Sequence, residues 1–396
     1  MATAVDPSRV GTARRWAMLA VGVLAQGTSA ITINGPAFLI PTLHRDEHLT
    51  LVQASMVAAA PSVGVMVTLI AWGYAVDMLG ERIVLAAGLL GTAAAGLVAT
   101  RVHGTLPLAA ALFVAGAFGS STSSASGRVV IGWFPAHRRG LAMGIRQMAQ
   151  PLGVGVAAIS IAVVAERHGV SAALLVPAVA STLALVAVLA VVIDPPRPPR
   201  TSTATPSPYV ESFLWRVHGV SVLLVIPQFA VWTFGLVWLV DARGWSAGAA
   251  GTLIAFSQVV GAAGRIGVGH VSDVVGSRMV PLRWVAVAAG VTMVLLGLTA
   301  QADWGIAVVL LVVATTVTVA DNGLAFTAVA ERAGPFWSGR ALGVQNTAQF
   351  LTAAAAAPLA GAAITHWGYP TAFALTALGP LVATGLVPRD EAAFEH

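Results

Sequence analysis

Cysteine is absent from this chain of 396 residues. Disulfide bonds, iron–sulfur clusters and thiolate metal sites are therefore excluded, because each of them needs a cysteine sulfur. Lysine is absent as well, so all 21 basic residues are arginine, and charged residues make up only 9% of the chain. Soluble domains carry about 25% charged residues. So low a charge content argues against a soluble protein.

Long uncharged runs fill the sequence instead. Hydrophobic residues make up 57% of the chain, and many stretches of roughly 18–25 residues carry almost no charge, which is the length of a helix that spans a bilayer. Residues 106–127 and 169–193 are examples. The first run, from Trp16, is too long for the apolar part of a cleavable signal peptide. The sequence therefore predicts an all-α integral membrane protein with many spans.

We predict twelve transmembrane helices in two pseudo-symmetric six-helix bundles. The N-terminal bundle is residues 1–193, with spans near 16–41, 51–76, 83–100, 105–133, 140–164 and 171–193. The C-terminal bundle is residues 213–396, with spans near 215–240, 247–272, 282–300, 305–329, 340–365 and 371–387. Residues 194–212 lie between the bundles, and their Pro, Ser and Thr content predicts an extended linker.

The distribution of arginine predicts the orientation of the chain, because cytoplasmic loops are enriched in basic residues. With the N-terminus inside, most arginines outside the spans are cytoplasmic, and the exceptions are Arg45, Arg101, Arg167 and Arg243. We therefore expect both termini and the linker to be cytoplasmic. The net charge of +5 comes from scattered arginines, so no nucleic-acid partner is indicated. The lack of lysine and the many Ala and Gly residues suggest a GC-rich bacterium, and hence a bacterial cytoplasmic membrane.

One charged phrase occurs twice in this apolar chain. The sequence GYAVDMLGER begins at Gly73 and GHVSDVVGSR begins at Gly269, so both read Gly-x-x-x-Asp-x-x-Gly-x-Arg. A second pair of related stretches, RGLAMGIRQMAQ and SGRALGVQNTAQ, follows at a similar offset. Two halves with parallel repeats imply a pseudo-two-fold axis along the membrane normal.

The twelve spans, the central linker and the repeated phrase resemble the major facilitator superfamily of secondary transporters over nearly the whole chain. In that family the Asp of the phrase faces the positive N-terminal end of a helix in the opposite half. The resemblance implies such a helix start near Gly339–Arg340 for Asp77 and near Gly140 for Asp273. These contacts would hold the cytoplasmic side shut until the halves rock apart. The expected gating residues are Gly73, Asp77, Gly80, Arg82, Gly269, Asp273, Gly276 and Arg278.

Some residues bear on which branch of that family the chain resembles. Residues 127–153 resemble bacterial carriers of cyanate, nitrate or nitrite and other organic anions. Met78 and Glu81 depart from the family pattern, which often has basic residues there. Leu69 stands where nitrate porters carry an arginine, which counts against nitrate as the substrate.

Three arginines fall inside predicted spans, where an ionisable residue is a candidate functional site. At 1.5 Å per helical residue, Arg265 lies about 12 Å, Arg128 about 10 Å and Arg146 about 9 Å from the cytoplasmic edge. A guanidinium keeps its charge and can make two parallel hydrogen bonds to a carboxylate. We expect these arginines to bind the substrate. The alternatives are that Arg265 bonds helix carbonyls or an acid on the tenth span, and that Arg128 reaches the inner membrane surface.

Further polar residues recur at helical spacing along the spans and so share faces with one another. We expect this group to line the same substrate cavity as the arginines. It comprises Asn34, Gln150, Gln228, Trp232, Gln258, Gln345 and Gln349.

Asp321 is the one carboxylate that the predicted boundaries place well inside a span. Two roles are open for it. It is either the site that couples transport to protons or an ion-pair partner for Arg265.

The sequence thus predicts a secondary transporter that moves a small organic anion, such as a carboxylate, by proton-coupled alternating access. The alternative is a proton-coupled exporter of drugs or metabolites with the same fold, although the first six spans lack the buried acid that exporters of cations usually need. A transporter-like sensor and a membrane enzyme fit less well, since no signalling extension, nucleophile motif or phosphate loop is present. We expect a monomer whose partners are a small-molecule substrate and the lipid bilayer, without a cofactor or a metal.

Overall fold

The computed structural model describes residues 10–45, 47–196 and 206–389, and all regular secondary structure in these ranges is helical. Two short 3₁₀ segments, Gly35–Leu39 and Pro208–Val210, accompany fifteen α-helices. The helices are α1 Thr12–Asn34, α2 Ile40–Arg45, α3 Leu51–Leu79, α4 Glu81–Ala99, α5 Thr105–Gly119, α6 Ser121–Trp133, α7 Ala136–Gln147, α8 Ala149–Val191, α9 Ser212–Asp241, α10 Ala247–Val275, α11 Met279–Gln301, α12 Ile306–Val317, α13 Asp321–Ala333, α14 Ser338–Thr376 and α15 Leu378–Leu386.

Ten helical segments in the described residues are long and apolar enough to cross a membrane. Two of them, Ala136–Val191 with 56 residues and Ser338–Leu386 with 49, are too long for one crossing of a hydrocarbon layer about 30 Å thick. Each turns at a glycine with positive φ, Gly169 (81°) in one and Gly368 (78°) in the other, a conformation open to glycine without steric strain. Each segment therefore supplies two spans, and the twelve-span prediction is confirmed.

The fourth and tenth spans are both interrupted near their middle. The fourth divides between α5 and α6, and the tenth between α12 and α13. At the first break the Ser120 hydroxyl donates to the Ala117 carbonyl at 2.9 Å, and at the second the Thr318 hydroxyl donates to the Ala314 carbonyl at 2.7 Å. Hydroxyls that bond nearby backbone compete with the regular helix. As a result α13 begins inside its span, with Asp321 as the first residue.

The described chain forms two compact units, and each combines segments from both halves of the sequence. The first covers the described residues of Met1–Phe134, Met148–Pro206 and Ala333–Asn346. The second covers those of Pro135–Gln147, Ser207–Arg332 and Thr347–His396. The division of the molecule into bundles at residues 1–193 and 213–396 stays a prediction.

Each unit has an apolar core and an apolar exterior. In the first unit Leu39, Leu112 and Ile161 are buried in one cluster, and in the second Trp238 and Phe373 pack edge to face with ring centroids 6.0 Å apart. Large apolar side chains also face outward, among them Leu106, Val274 and Leu359. Exposed apolar surface of this extent suits contact with lipid rather than water.

Candidate functional site

In the first unit, the Asp of the first copy of the repeated phrase contacts the start of α14. The Asp77 carboxylate is buried and accepts hydrogen bonds from the backbone N–H of Gly339 at 2.8 Å and of Arg340 at 3.0 Å, and from the Arg340 Nε at 3.0 Å. A Cβ on Gly73 would lie 2.3 Å from the Gly339 carbonyl oxygen, so only glycine permits this approach. The helix-start contact predicted for Asp77 is therefore present in the structure.

In the second unit, the other copy makes an equivalent contact with α7. The Asp273 carboxylate accepts from the N–H of Gly140 at 2.9 Å and of Leu141 at 2.8 Å. A Cβ on Gly269 would lie 2.3 Å from the Gly140 carbonyl oxygen. The helix itself begins at Ala136, so these amides lie one turn further inside it than the sequence suggested. The Ala136 carbonyl accepts from the Arg278 guanidinium at 2.7 Å.

Arg128 lies in the first unit and is held by two carboxylates. Its Nη1 is 2.6 Å from Asp77 Oδ1, and its Nε is 2.8 Å from Glu81 Oε1. The Arg128 side chain is 4% exposed and both carboxylates are fully buried. Removing one member of such a group leaves an uncompensated buried charge, which is strongly destabilising. Asp77, Glu81, Arg128 and Arg340, with Gly339, are called the Asp77 cluster below.

A second group of four charged side chains includes Asp273. Arg278 lies 2.6 Å from Asp273 Oδ1 and 3.3 Å from Glu331 Oε1, and Arg139 lies 3.4 Å from Glu331 Oε1. Asp273, Arg278, Glu331 and Arg139, with Gly140, are called the Asp273 cluster. Both clusters thus combine two carboxylates with two guanidiniums, so that neither carries a net charge.

The remaining motif residues follow the repeat only in part. Gly80 has φ of 102° and Gly276 has φ of 69°, so both positions require glycine for the turn that they form. Arg278 pairs with the Asp of its own phrase. Arg82, the equivalent residue, instead donates to the Leu189 carbonyl at 2.6 Å. The first cluster receives its arginines from α6 and α14, which the repeat alone does not reveal.

In the second unit, three helices approach one another at Gly144 on α7. A Cβ there would lie 2.6 Å from the Arg265 carbonyl oxygen on α10. On the other side, a Cβ on Gly323 of α13 would lie 3.6 Å from the Gly144 Cα. Small residues allow helix backbones to pack this closely in membranes. The surroundings of this contact are called the Gly144 junction.

Two arginines at the Gly144 junction converge on Gln147, the last residue of α7. The Arg146 Nη1 donates to the Gln147 Oε1 at 2.9 Å, and the Arg265 Nη1 donates to the Gln147 carbonyl at 2.9 Å. The side chains of Arg146 and Arg265 are 1% and 4% exposed. Arg146 also lies over the Phe326 ring at 5.8 Å. The Arg265 Nε has no hydrogen-bond partner among the described residues.

Asp321 completes the charges at the junction. It is fully buried, and neither carboxylate oxygen makes a hydrogen bond of normal geometry within the described part of the chain. Arg265 acts on it electrostatically, and the Ser221 hydroxyl and the backbone N–H groups of Asp321 and Asn322 lie near its oxygens, but no ion pair within 4.0 Å joins it to Arg265. An ionised carboxylate without hydrogen bonds is costly in a protein interior. Because Asp321 begins α13, it also lies at the positive end of a helix.

A chain of amide and hydroxyl groups continues from Asp321 in the second unit. The Gln349 Nε2 donates to the Ser221 hydroxyl and to the Asn322 Oδ1, both at 2.8 Å. The Asn322 Nδ2 donates to the Gln228 Oε1 at 3.4 Å. Two of the predicted polar residues, Gln228 and Gln349, thus belong to one network. Trp232, one turn beyond Gln228, has an indole N–H without a partner in the described residues.

The other predicted polar residues are not joined to this network by a described contact. Asn34 donates to the Ala30 carbonyl of its own helix at 2.9 Å. Gln150 and Gln345 belong to the first unit, where Gln345 is fully buried and Gln150 half-buried. Gln258 is half-buried in the second unit.

Sequence reasoning missed several residues that the structure brings together. Glu81 was noted only as a departure from the family pattern. Because α3 ends at Leu79 and α4 begins at Glu81, with Gly80 at φ of 102° between them, helical spacing from Asp77 could not place the two carboxylates together. Ser221 and Gln147 carried no signal of their own, since an isolated Ser or Gln in an apolar span has many structural roles. The glycine at position 144 did carry a signal, because it recurs as Gly343 in the second pair of related stretches.

The fold and these clusters define a class of protein: a polytopic helical carrier with repeated halves and charges buried in its spans. A family model described as Major Facilitator Superfamily matches residues 22–357. The chain belongs to the Major Facilitator Superfamily. Its members are generally carriers without enzymatic activity, consistent with the prediction of no enzyme.

Relatives and solved structures agree with this assignment. The chain is 48% identical over 387 residues to an uncharacterized MFS-type transporter, Rv2994, of Mycobacterium tuberculosis, covering 97% of this chain and 86% of that protein. The crystal structure of the transporter FucP in its outward conformation aligns with a TM-score of 0.77 at 14% identity, covering 93% of this chain and 97% of that one. The structure of the human organic anion transporter MFSD10 (TETRAN) gives 0.72 at 15% identity, with 94% and 99% covered. At this identity the likeness concerns the fold alone.

Proposed function

We propose that this transporter carries a small organic anion, such as a carboxylate, and that the Gly144 junction binds it. The observation that carries the proposal is the convergence of Arg146 and Arg265 on Gln147, both buried. The unbonded Nε of Arg265 is the donor that an incoming carboxylate would meet. Charge-assisted hydrogen bonds from a guanidinium to a carboxylate are about twice as strong as neutral ones. The start of α13 adds a positive helix end to the same site.

Recognition of the rest of the substrate is assigned to the neighbouring amides. Gln228, Asn322 and Gln349 offer both donors and acceptors, and Gln349 is half-buried. Trp232 supplies an apolar ring and an unused N–H donor. Arg128 is assigned to the Asp77 cluster, because two carboxylates already neutralise it.

A screen of ligands against the purified protein tests the substrate class. Mono- and dicarboxylates are expected to raise the melting temperature, whereas sugars and cationic dyes are expected to leave it unchanged. A ligand that binds only the native state stabilises it by about 2.7 kcal/mol at one hundred times its Kd. The measurement is thermal unfolding at a fixed pH and salt concentration. Stabilisation by cationic compounds and by no carboxylate would instead support the drug exporter.

Transport is assigned to alternating access, with the Asp77 and Asp273 clusters as gates on the cytoplasmic side. In each cluster a carboxylate bonds two backbone N–H groups of a helix from the other half of the sequence. Breaking such a contact exposes a carboxylate and two backbone N–H groups to water together, so the closed and open arrangements are two discrete states. The distribution of arginine supports placing these ends, both termini and the linker in the cytoplasm. A bacterial cytoplasmic membrane and a monomeric state are part of the same proposal.

Proton coupling is assigned to Asp321. Asp321 is fully buried, and Arg265 acts on it electrostatically. An anion bound to Arg265 would neutralise that guanidinium, and proton uptake by Asp321 would then leave no unbalanced buried charge. Substrate and proton would then cross together.

Asp321→Asn tests this role, because asparagine keeps the shape of the side chain but cannot exchange a proton. We expect uptake of the carboxylate selected by the thermal screen to continue by exchange across proteoliposomes, but to lose its response to an imposed pH gradient. Asp241→Asn, at the end of α9, serves as the matched control and should keep the response. Proton-driven accumulation by Asp321→Asn at the level of the unaltered protein would rule out the role.

A further inference from the structure

The first residue of the linker, which follows α8 in the chain, packs against the turn that joins α3 to α4. This residue, Asp194, accepts a hydrogen bond from the backbone N–H of Arg82 at 2.8 Å. This N–H lies in the first turn of α4, where backbone donors have no partner within the helix. The helix cap, Gly80, has no side chain to supply an acceptor. Asp194 therefore caps α4 from a position more than a hundred residues further along the chain.

Two glycines leave space for the start of the linker, Gly80 for Asp194 and Gly132 for Pro195. A Cβ on Gly80 would lie 2.7 Å from the Asp194 Oδ2, so any larger residue there would displace the carboxylate. The next residue, Pro195, is buried against α6, where a Cβ on Gly132 would lie 2.4 Å from its ring. Beside it, the Trp133 indole N–H donates to the Ile193 carbonyl at 3.0 Å.

The turn that Asp194 caps carries the Asp77 cluster. Asp77 lies three residues before Gly80 and Glu81 directly after it, and Arg128 is held between these two carboxylates. The separation of the two carboxylates, and so the position of Arg128, depends on the conformation of the turn. The second half of the chain does this differently, because the Ser277 hydroxyl caps α11 locally by accepting from the Val280 N–H at 3.0 Å.

We propose that Asp194 is a positioning residue of the first gate, through which the linker holds the Asp77 cluster in its closed arrangement. The proposal rests on the gating role given above to that cluster. Displacement of the linker from Gly80 and Gly132 releases the turn, lets Glu81 move away from Arg128, and weakens the contact between Asp77 and the start of α14.

The absence of cysteine provides a direct test. Ala341 is fully buried one residue after Arg340, so Ala341→Cys supplies a single thiol that reacts with a maleimide when the contact opens. In this background Asp194→Ala is expected to raise the labelling rate roughly three- to tenfold, the range set by losing one charge-assisted hydrogen bond at a half-exposed position. Asp194→Asn retains an acceptor for the Arg82 N–H and should restore most of the protection.

A second variant tests the same role of the linker by displacing Pro195 instead of removing the Asp194 carboxylate. Gly132→Ala lies on α6 and does not touch the turn, but its methyl group would displace Pro195. Alanine favours the helix, but the clash with Pro195 opposes that gain, so the labelling rate and not the stability is the readout. We expect faster labelling, with no further increase when Gly132→Ala is combined with Asp194→Ala.

Two further variants serve as controls, one for a general loss of stability and one for the gate itself. Thr50→Ala removes the cap at the opposite end of α3, where the Thr50 hydroxyl accepts from the Gln53 N–H, and should lower stability without changing the labelling rate. Asp77→Asn should raise labelling more than Asp194→Ala does. If Asp77→Asn raises labelling while Asp194→Ala and Gly132→Ala do not, the positioning role is wrong and the gate stands. If Asp77→Asn leaves it unchanged, the gate itself is wrong.

Discussion

Arg265→Ala is expected to abolish both carboxylate-induced stabilisation and carboxylate uptake. The guanidinium is buried, and its Nε is the unbonded donor of the Gly144 junction. Loss of two charge-assisted hydrogen bonds to a substrate carboxylate removes about 3 kcal/mol or more of binding free energy, which is over a hundredfold in affinity. Arg265→Lys keeps the charge but not the two parallel donors, so we expect it to bind more weakly as well.

The measurements are thermal shift with increasing carboxylate and uptake by proteoliposomes. Arg265 also bonds the Gln147 carbonyl, so Arg265→Ala leaves that acceptor unpaired and lowers stability by itself. Arg265→Gln supplies a donor for the carbonyl and separates binding from folding. Arg283→Ala is the control, because Arg283 bonds only carbonyls near the chain end among the described contacts and should transport normally. Normal uptake by the Ala, Lys and Gln variants of Arg265 would exclude an anion site at this residue.

Asp77→Asn is expected to destabilise the closed gate strongly while leaving substrate affinity almost unchanged. The carboxylate accepts from two backbone N–H groups and from Arg340, and it pairs with Arg128. Asparagine keeps the size of the side chain but removes the charge that all these donors share. We expect the equilibrium to shift by about 2–3 kcal/mol toward the open arrangement, which is roughly 30- to 150-fold.

Labelling of Ala341→Cys reports the equilibrium between the closed and open arrangements, and the half-saturating concentration, measured separately from the maximal rate, reports whether binding has changed. A loss confined to the maximal rate is the expected signature. Asp303→Asn is the matched control, since Asp303 is exposed, pairs with Arg243 and lies outside both clusters. Unchanged labelling and turnover in Asp77→Asn, with wild-type stability, would contradict the gating role.

The contact of Asp77 with the start of α14 could be predicted because the family resemblance implies a helix start of the opposite half as its partner, and the repeat locates that start. Two copies of one phrase and two copies of a following stretch restrict the pairing to equivalent positions. The same symmetry failed for Arg82, which bonds the Leu189 carbonyl instead of its own phrase's Asp. A repeat predicts what both halves keep, and side chains that differ between the halves, such as Glu81 and Ser277, are free to find different partners.

For the three buried arginines, the position within a span could be predicted from the sequence, but the bonding partners could not. Apolar surroundings in the sequence were sufficient to place Arg128, Arg146 and Arg265 inside spans. Arg128 pairs with Asp77 and Glu81, and Arg146 and Arg265 both bond Gln147. Of these partners, only Asp77 stands out in the sequence. Helical spacing describes one helix at a time, so it cannot tell which of two arginines with similar depth faces a carboxylate and which faces an amide.

Uncharged runs and the repeat were enough to predict that this chain crosses a membrane twelve times in two related halves. Backbone groups in hydrocarbon must bond within their own helix, so an uncharged run of spanning length has almost no other structure available. The folded chain was needed to show which group neutralises each buried charge, how closely α7, α10 and α13 meet at Gly144, and that Asp194 caps α4. Those outcomes depend on contacts between distant segments, where differences of a few ångströms separate an ion pair from an open binding position.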